Sequence, residues 1–227
     1  MPAVTEFLRR AVAPRIVVAS SRWRAMQNGR AALRRRFGLR PAIELFFAFD
    51  DPYAAIGLPG LIRIAEARKA DLKLRPLVAR GIDGDPAAAQ RAVHAITDSR
   101  RLAQRDGRSL RRAAPLSSAA CAFLAAWTVA AESSPGCNAF VAAALEKLWF
   151  ASDDAPTPES YAPLYASHIG SAPPPVSETH DAELAANRQR LLKLGHWESP
   201  AAHVAGEWFF AHERLQQIDA RLAALGA

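Results

Sequence analysis

An α/β architecture is predicted by three features of the sequence. A short apolar run at residues 42–49 and an alternating run at 71–78 flank a helical stretch, which is the pattern of a strand–helix–strand unit. Residues 86–151 have helical spacing almost throughout. Near the C terminus, two short strand-like runs surround a glycine-containing turn, and an amphipathic helix follows.

The first strand, Ala42-Ile43-Glu44-Leu45-Phe46-Phe47-Ala48-Phe49, is too short for a helix and is ended by Asp50-Asp51-Pro52. Its nearly unbroken apolarity suits a strand covered on both faces. Pro52 fits the first turn of a helix, where its missing N–H costs nothing, with Asp50 or Asp51 as N-cap. That helix is expected through Ala54, Ile56, Ile62, Ile64 and Ala67, with an interruption at Gly57–Gly60 around Pro59. The strand at 71–78 should lie parallel to the first, joined by a right-handed crossover.

Ala87–Asp106 reads as an amphipathic helix with Val93, Ile96 and Leu102 on one face. Ser117–Ala131 is nearly all apolar and reads as a buried helix, and Asn138–Phe150 as another. The proline-rich stretch 153–175 leaves room for one brief helix around Ser160–Ile169, and Glu183–Leu194 is a further helix. Ala201–Ala205 and Trp208–Phe210 form the hairpin around Gly206-Glu207. Glu213–Leu225 closes the chain, with Leu215, Ile218, Leu222 and Leu225 on one face.

Half of the 227 residues are hydrophobic and 22% are charged, which excludes wholesale disorder and a fibrous chain. No eighteen-residue apolar window exists, so no transmembrane helix is expected. Two cysteines, Cys121 and Cys137, without a CxxC spacing give neither a disulfide framework nor a cysteine-rich zinc site. Cys121 reads as packing, whereas Cys137 follows Pro135-Gly136 at a helix start, where a thiol pKa can fall.

The formal charge of +7 is unevenly distributed. Residues 1–40 carry ten arginines against Glu6 alone, whereas the rest has 19 basic and 21 acidic residues. The apolar positions Leu8, Val12, Ile16, Trp23, Met26 and Leu33 make this arm one or two basic amphipathic helices. Such an arm can pack on the body or a second subunit, or contact nucleic acid or an anionic membrane surface. Its apolar stretch is too short for a secretory signal, and a cytoplasmic protein is expected. The resulting plan is an arm at 1–40, a first sheet segment at 41–80, a helical insertion at 81–180 and a second sheet segment at 181–227.

Phe47-Ala48-Phe49-Asp50-Asp51-Pro52-Tyr53 resembles the "DFSSPYSY" segment of 2-hydroxychromene-2-carboxylate isomerases and kappa-class glutathione transferases, relatives of the DsbA-type disulfide oxidoreductases. Gly195-His196-Trp197-Glu198-Ser199-Pro200 is similar to the family's "GVFGVP", and Phe210-Ala211-His212-Glu213-Arg214-Leu215 to its "FWGQDRL". The resemblance spans roughly residues 42–223 and implies a thioredoxin-like fold with an inserted helical domain. It implies glutathione as cofactor, a small-molecule ligand between the two subdomains, and a homodimer. Pro200 matches the family's cis-proline, with Ser199 presenting its backbone to a thiol ligand. Glu213 and Arg214 match the corner that contacts the γ-glutamyl group, and Tyr53 the tyrosine after the active-site proline.

Asp51 departs from that pattern. The resemblance puts here a serine that donates to the glutathione thiolate, or the first cysteine of a CxxC. An ionised carboxylate has no proton to donate and repels a thiolate within about 4 Å. With Asp51-Pro52-Tyr53-Ala54 in place of CxxC, dithiol redox activity is not expected. Asp51 is open to three readings: an N-cap; a general acid or base raised by burial or by Asp50; or a metal ligand with Asp50 and a distant histidine such as His203. No metal-ligand spacing supports the third. Two functions follow: a glutathione-dependent isomerase or transferase with Asp51 and Tyr53 as its catalytic residues, or a non-catalytic thioredoxin-like module whose arm docks a partner.

Overall fold

The computed structural model describes residues 29, 37–38, 40–81, 84–151 and 153–227, so the reading of the arm lies almost entirely outside the described residues. The elements are β1 (Ala42–Phe47), α1 (Pro52–Ala67), β2 (Asp71–Pro76), α2 (Ala88–Arg105), α3 (Ser118–Ala130), α4 (Cys137–Glu146), α5 (Pro158–Ile169), α6 (Glu178–Lys193), β3 (Ala201–Val204), β4 (Glu207–Phe210) and α7 (Leu215–Ala224). A π-helical turn, Lys147–Ala151, continues α4.

The four strands form one sheet in the order β2-β1-β3-β4. As expected, β1 and β2 are parallel, with Ala42 opposite Asp71 and Phe47 opposite Pro76. β3 is antiparallel to β1, with Ile43 opposite Val204, and β4 is antiparallel to β3. Because strand side chains alternate, β1 feeds two cores. Ile43, Leu45 and Phe47 join the large core that includes residues of α1, α3, α4, α5 and α7. Phe46 and Ala48 face the other way, onto Leu77 and Leu191 of α6. Both faces of the sheet are covered, which explains the unbroken apolar text of β1.

Several boundaries differ from expectation for identifiable reasons. α1 is continuous, with Pro59 inside it. Gly57 and Gly60 are close-approach positions, not breaks. A Cβ on Gly57 would lie 3.1 Å from the Ala211 and His212 backbone, and one on Gly60 would lie 2.4 Å from Leu215 Cδ1. They share a face, and that face is the seat of the segment leading into α7. Val93 is exposed, and α2 instead buries Ala95, Ile96, Ser99 and Ala103.

α5 starts at Pro158, with Thr157 as a side-chain cap for Ser160. α6 starts five residues earlier than expected, at Glu178, because His180 Nδ1 accepts from the Ser177 N–H and closes the first turn. In the hairpin, Ala205 (φ 48°) and Gly206 (φ 88°) form the turn, one residue earlier than expected. Two consecutive positive φ values suit a tight hairpin with right-twisted strands, and they allow Glu207 to pair with Val204.

Candidate functional site

The site is built at the C-terminal end of β1, where the chain turns into α1. Asp51 N–H bonds back to Ala48 O at 3.2 Å, which ends the strand. Asp51 has extended backbone angles and is the N-cap of α1: its Oδ1 accepts from the Tyr53 N–H at 3.1 Å. Pro52 follows at the helix's first position, where no donor is required. The helical segment supports the turn from behind, because the buried Trp149 donates its indole N–H to Phe49 O at 3.1 Å.

Three chain segments converge on the Asp51 carboxyl, which is fully buried. Ser199 Oγ donates to Asp51 Oδ2 at 3.1 Å, and the Ser199–Pro200 peptide bond is cis. Arg80, from the loop after β2, brings its Nε to 3.7 Å from the same oxygen. The Arg80 backbone N–H donates to Asp50 Oδ1 at 3.0 Å, which fixes both residues of the turn against the loop.

Burial pushes the Asp51 carboxyl from an ordinary 3.8 up to about 7. Arg80, the Tyr53 N–H and the Ser199 hydroxyl act against that rise, and the neighbouring Asp50 adds to it. Burial likewise lifts Asp50 to about 6, opposed by Arg80. The result is a buried acid that is partly protonated at neutral pH and has a hydroxyl and a guanidinium in contact.

Tyr53 leaves this cluster sideways. Its phenol donates to Asp98 Oδ2 of α2 at 2.9 Å, and its ring stacks on His212 with centroids 4.1 Å apart. Arg80 Cζ lies 5.3 Å from the same ring centroid. Burial and Asp98 hold the phenol well above its usual range. Burial pulls His212 down to about 4, against Glu213 and Asp98, so the imidazole is neutral.

Of the six residues singled out in the sequence, Asp51 and Ser199 meet, Pro200 follows Ser199 across the cis bond, and Tyr53 adjoins Asp51. Glu213 and Arg214 do not join that group. Arg214 Nε lies 3.9 Å from Glu213 Oε2, both side chains are half exposed, and Glu213 otherwise faces His212. Glu213 lines a cleft of about 980 Å³ with Arg63, Arg105 and Arg108. A separate pocket of about 250 Å³ is lined by Asp50, Arg80, Asp85, Arg91 and Glu198. His212 stacks on Tyr53 and also lines the large cleft.

The metal reading of Asp51 loses its histidine: His203 lies against Glu44, Nδ1 to Oε2 3.7 Å, and packs on Trp208. No cluster of three or more metal-ligating side chains occurs among the described residues. The Cys137 thiol is not lowered, although a helix start can lower one. Burial, with Glu132 adding to it, pushes this thiol up to about 11, while burial lifts Cys121 to about 12. Arg80, Asp98 and His212 were missed in the sequence. Only topology could have found Arg80, since the loop after the second strand of such a unit opens beside the helix start. No helix among the described residues is long and apolar enough to cross a membrane.

No family model matches the sequence, and no curated protein resembles it at the level of sequence. Solved structures do share its fold. A 2-hydroxychromene-2-carboxylate isomerase superposes over 82% of this chain and 96% of its own, at 16% identity and a TM-score of 0.56. A probable DsbA oxidoreductase from Streptomyces coelicolor matches over 82% and 91%, at 15% identity and a TM-score of 0.62. The cytosolic disulfide reductase DsbM from Pseudomonas aeruginosa, solved with GSH, matches over 82% and 97%, at 16% identity and a TM-score of 0.54. The sheet order, the cis Ser199–Pro200 bond with Ser199 hydrogen-bonded to the α1 N-cap, and these superpositions together identify the fold as the thioredoxin-like fold of DsbA-type proteins and the chromene-carboxylate isomerase, with helices inserted between β2 and β3.

Proposed function

We propose that this protein binds glutathione or a small aromatic acid at the turn between β1 and α1, and that it does so without dithiol chemistry. The observation that carries the reading is the Asp51–Ser199–Arg80 cluster, at the position where the sequence resemblance implies a thiol-handling residue and next to a pocket that Arg80 also lines. Aspartate at position 51 and alanine at position 54 leave no dithiol there, and both cysteines are buried elsewhere. Support for the ligand class comes from DsbM, whose structure was solved with GSH, and from the isomerase's carboxylate substrate.

In this reading Asp51 Oδ2 holds a proton near neutral pH and shares it with Ser199 Oγ. Isomerisation of a bound acid requires a group that gives up and takes back one proton at the working pH. Asp51 meets that requirement once Ser199 swings off it and the carboxyl faces the ligand. Arg80 orients the ligand, and the Pro52 end of α1 favours negative charge in front of it.

The complete burial of Asp51, with both oxygens already engaged, favours a second reading, a non-catalytic module that binds a partner. Calorimetric titration of reduced glutathione and of a chromene-type acid into the wild type and Asp51→Ser separates the two. Binding by the wild type at millimolar affinity or better is expected. Binding by Asp51→Ser alone would mean a pocket closed by one carboxylate, and silence from both proteins would favour the partner-binding module.

A further inference from the structure

The smaller pocket is lined by a cation that has no hydrogen-bond acceptor among the described residues. The Arg80 side chain is 14% exposed, and its Nη1 is closed off from solvent without a hydrogen-bond partner. Among the described residues its guanidinium makes no hydrogen bond, and its nearest acid oxygen, on Asp51, stands 3.7 Å away. A buried guanidinium with unsatisfied donors is costly, because water no longer solvates it and no acceptor has replaced the water. The other arginine on this pocket differs: Arg91 is paired with Asp85 at 2.8 Å and lies 3.9 Å from Glu198. Of the two arginines, Arg91 has an acid oxygen at hydrogen-bond distance and Arg80 has none among the described residues.

We infer that the pocket lined by Asp50, Arg80 and Glu198 receives a small monocarboxylate, and that Arg80 is the group that binds it. The inference rests on the proposed function and narrows its ligand class to acids whose carboxylate enters this pocket. A guanidinium offers two parallel N–H donors to a planar carboxylate, a match that a point-like ammonium lacks. A phosphate dianion fits less well, because Asp50, Asp85 and Glu198 surround the same space. Asp51 does not oppose a singly charged guest in full, since burial keeps it partly protonated at neutral pH. Leu116, Ala88 and Ala92 supply an apolar wall for the rest of the ligand. At about 250 Å³ the pocket is below the 300–1,000 Å³ range of drug-sized sites, so the guest is of single-ring size.

The test is calorimetric titration of the full-length protein with benzoate, with benzamide as its neutral counterpart, and with inorganic phosphate. Benzoate should bind and the other two should not. Arg80→Gln should lose roughly tenfold or more of the benzoate affinity, the size of one charge-assisted hydrogen bond, and Arg80→Lys should lose less. Equal binding of benzamide, a preference for phosphate, or unchanged benzoate affinity in Arg80→Gln would overturn the inference. If Arg80→Gln does not fold, the benzoate–benzamide comparison on the wild type and the Arg80→Lys titration decide. Reduced glutathione in the same series separates the two claims. Glutathione binding without benzoate binding removes the carboxylate pocket and leaves the proposed function standing, while silence from both removes both.

Discussion

A carboxyl with no exposed surface has to be held by its neighbours, and Asp51 is held by a backbone N–H, a hydroxyl and a guanidinium. Those contacts do not fully offset the lost hydration, so its pKa lies above the ordinary value, at about 7. The sign of the consequence follows. Between about 4 and 7 the folded chain binds more protons at this group than the unfolded chain, so its contribution to stability falls as pH rises through that window. Asp50, raised to about 6, acts in the same direction. Asp51→Asn keeps an acceptor for Tyr53 N–H and removes the titration. Thermal unfolding of both proteins from pH 5 to pH 8 should show the difference moving steadily in favour of Asp51→Asn. A difference that is flat with pH would mean that Asp51 remains ionised throughout.

At the scale of elements, α1 is seated by absence of side chains. Gly57 lies against the Ala211–His212 backbone, which cannot move without unstacking His212 from Tyr53. Gly60 lies against the end of the Leu215 side chain, which can rotate away. Gly57→Ala should therefore destabilise by about 1–3 kcal/mol, and Gly60→Ala by clearly less, measured by denaturant unfolding. The same pair shows why this part of the sequence was misleading. Gly-x-Pro-Gly has the local chemistry of a break, and only the tertiary partner, far along the chain, reveals it as a contact surface. β1, β2 and the hairpin were legible because strand periodicity and turn residues are local signals. So was the cap at Asp51. Arg80, Asp98 and His212 carry no local signal, since an arginine in a loop and an aspartate on a charged helix read as solvated. The separation of Glu213 and Arg214 from Asp51 was not legible either, because a motif match gives chain order and not distance.

Across the whole molecule, the face of the sheet opposite the large core is tied by one acid. Glu44 of β1 accepts two hydrogen bonds from Arg190 of α6, at 3.0 and 2.7 Å, and lies 3.5 Å from Arg75 of β2 and 3.7 Å from His203 of β3. Burial alone would raise this carboxyl, but His203, Arg190 and Arg75 overcome it and hold it at about 2. Its stabilisation is therefore present above about pH 4.5 and is lost as pH falls towards 2. Glu44→Gln should cost about 1–2 kcal/mol at neutral pH, a modest figure because Arg190 is half exposed and water screens the pair. Chemical denaturation of the two proteins at decreasing pH should show their stabilities converging between about 4.5 and 2.

The indole of Trp149, hydrogen-bonded to Phe49 O, joins the inserted helices to the strand that ends in the site. Phe49 is one residue from Asp50, and Trp149 O in turn accepts the N–H groups of Arg111 and Arg112. The turn that carries Asp51 is thus a shared wall between the two halves of the chain. A sheet stripped of its insertion would be left with an open carbonyl and an uncovered apolar face beside Asp51. For anyone seeking a minimal scaffold, the insertion is not an ornament that can be trimmed: the geometry around position 51 exists only as long as the helices are there to hold it.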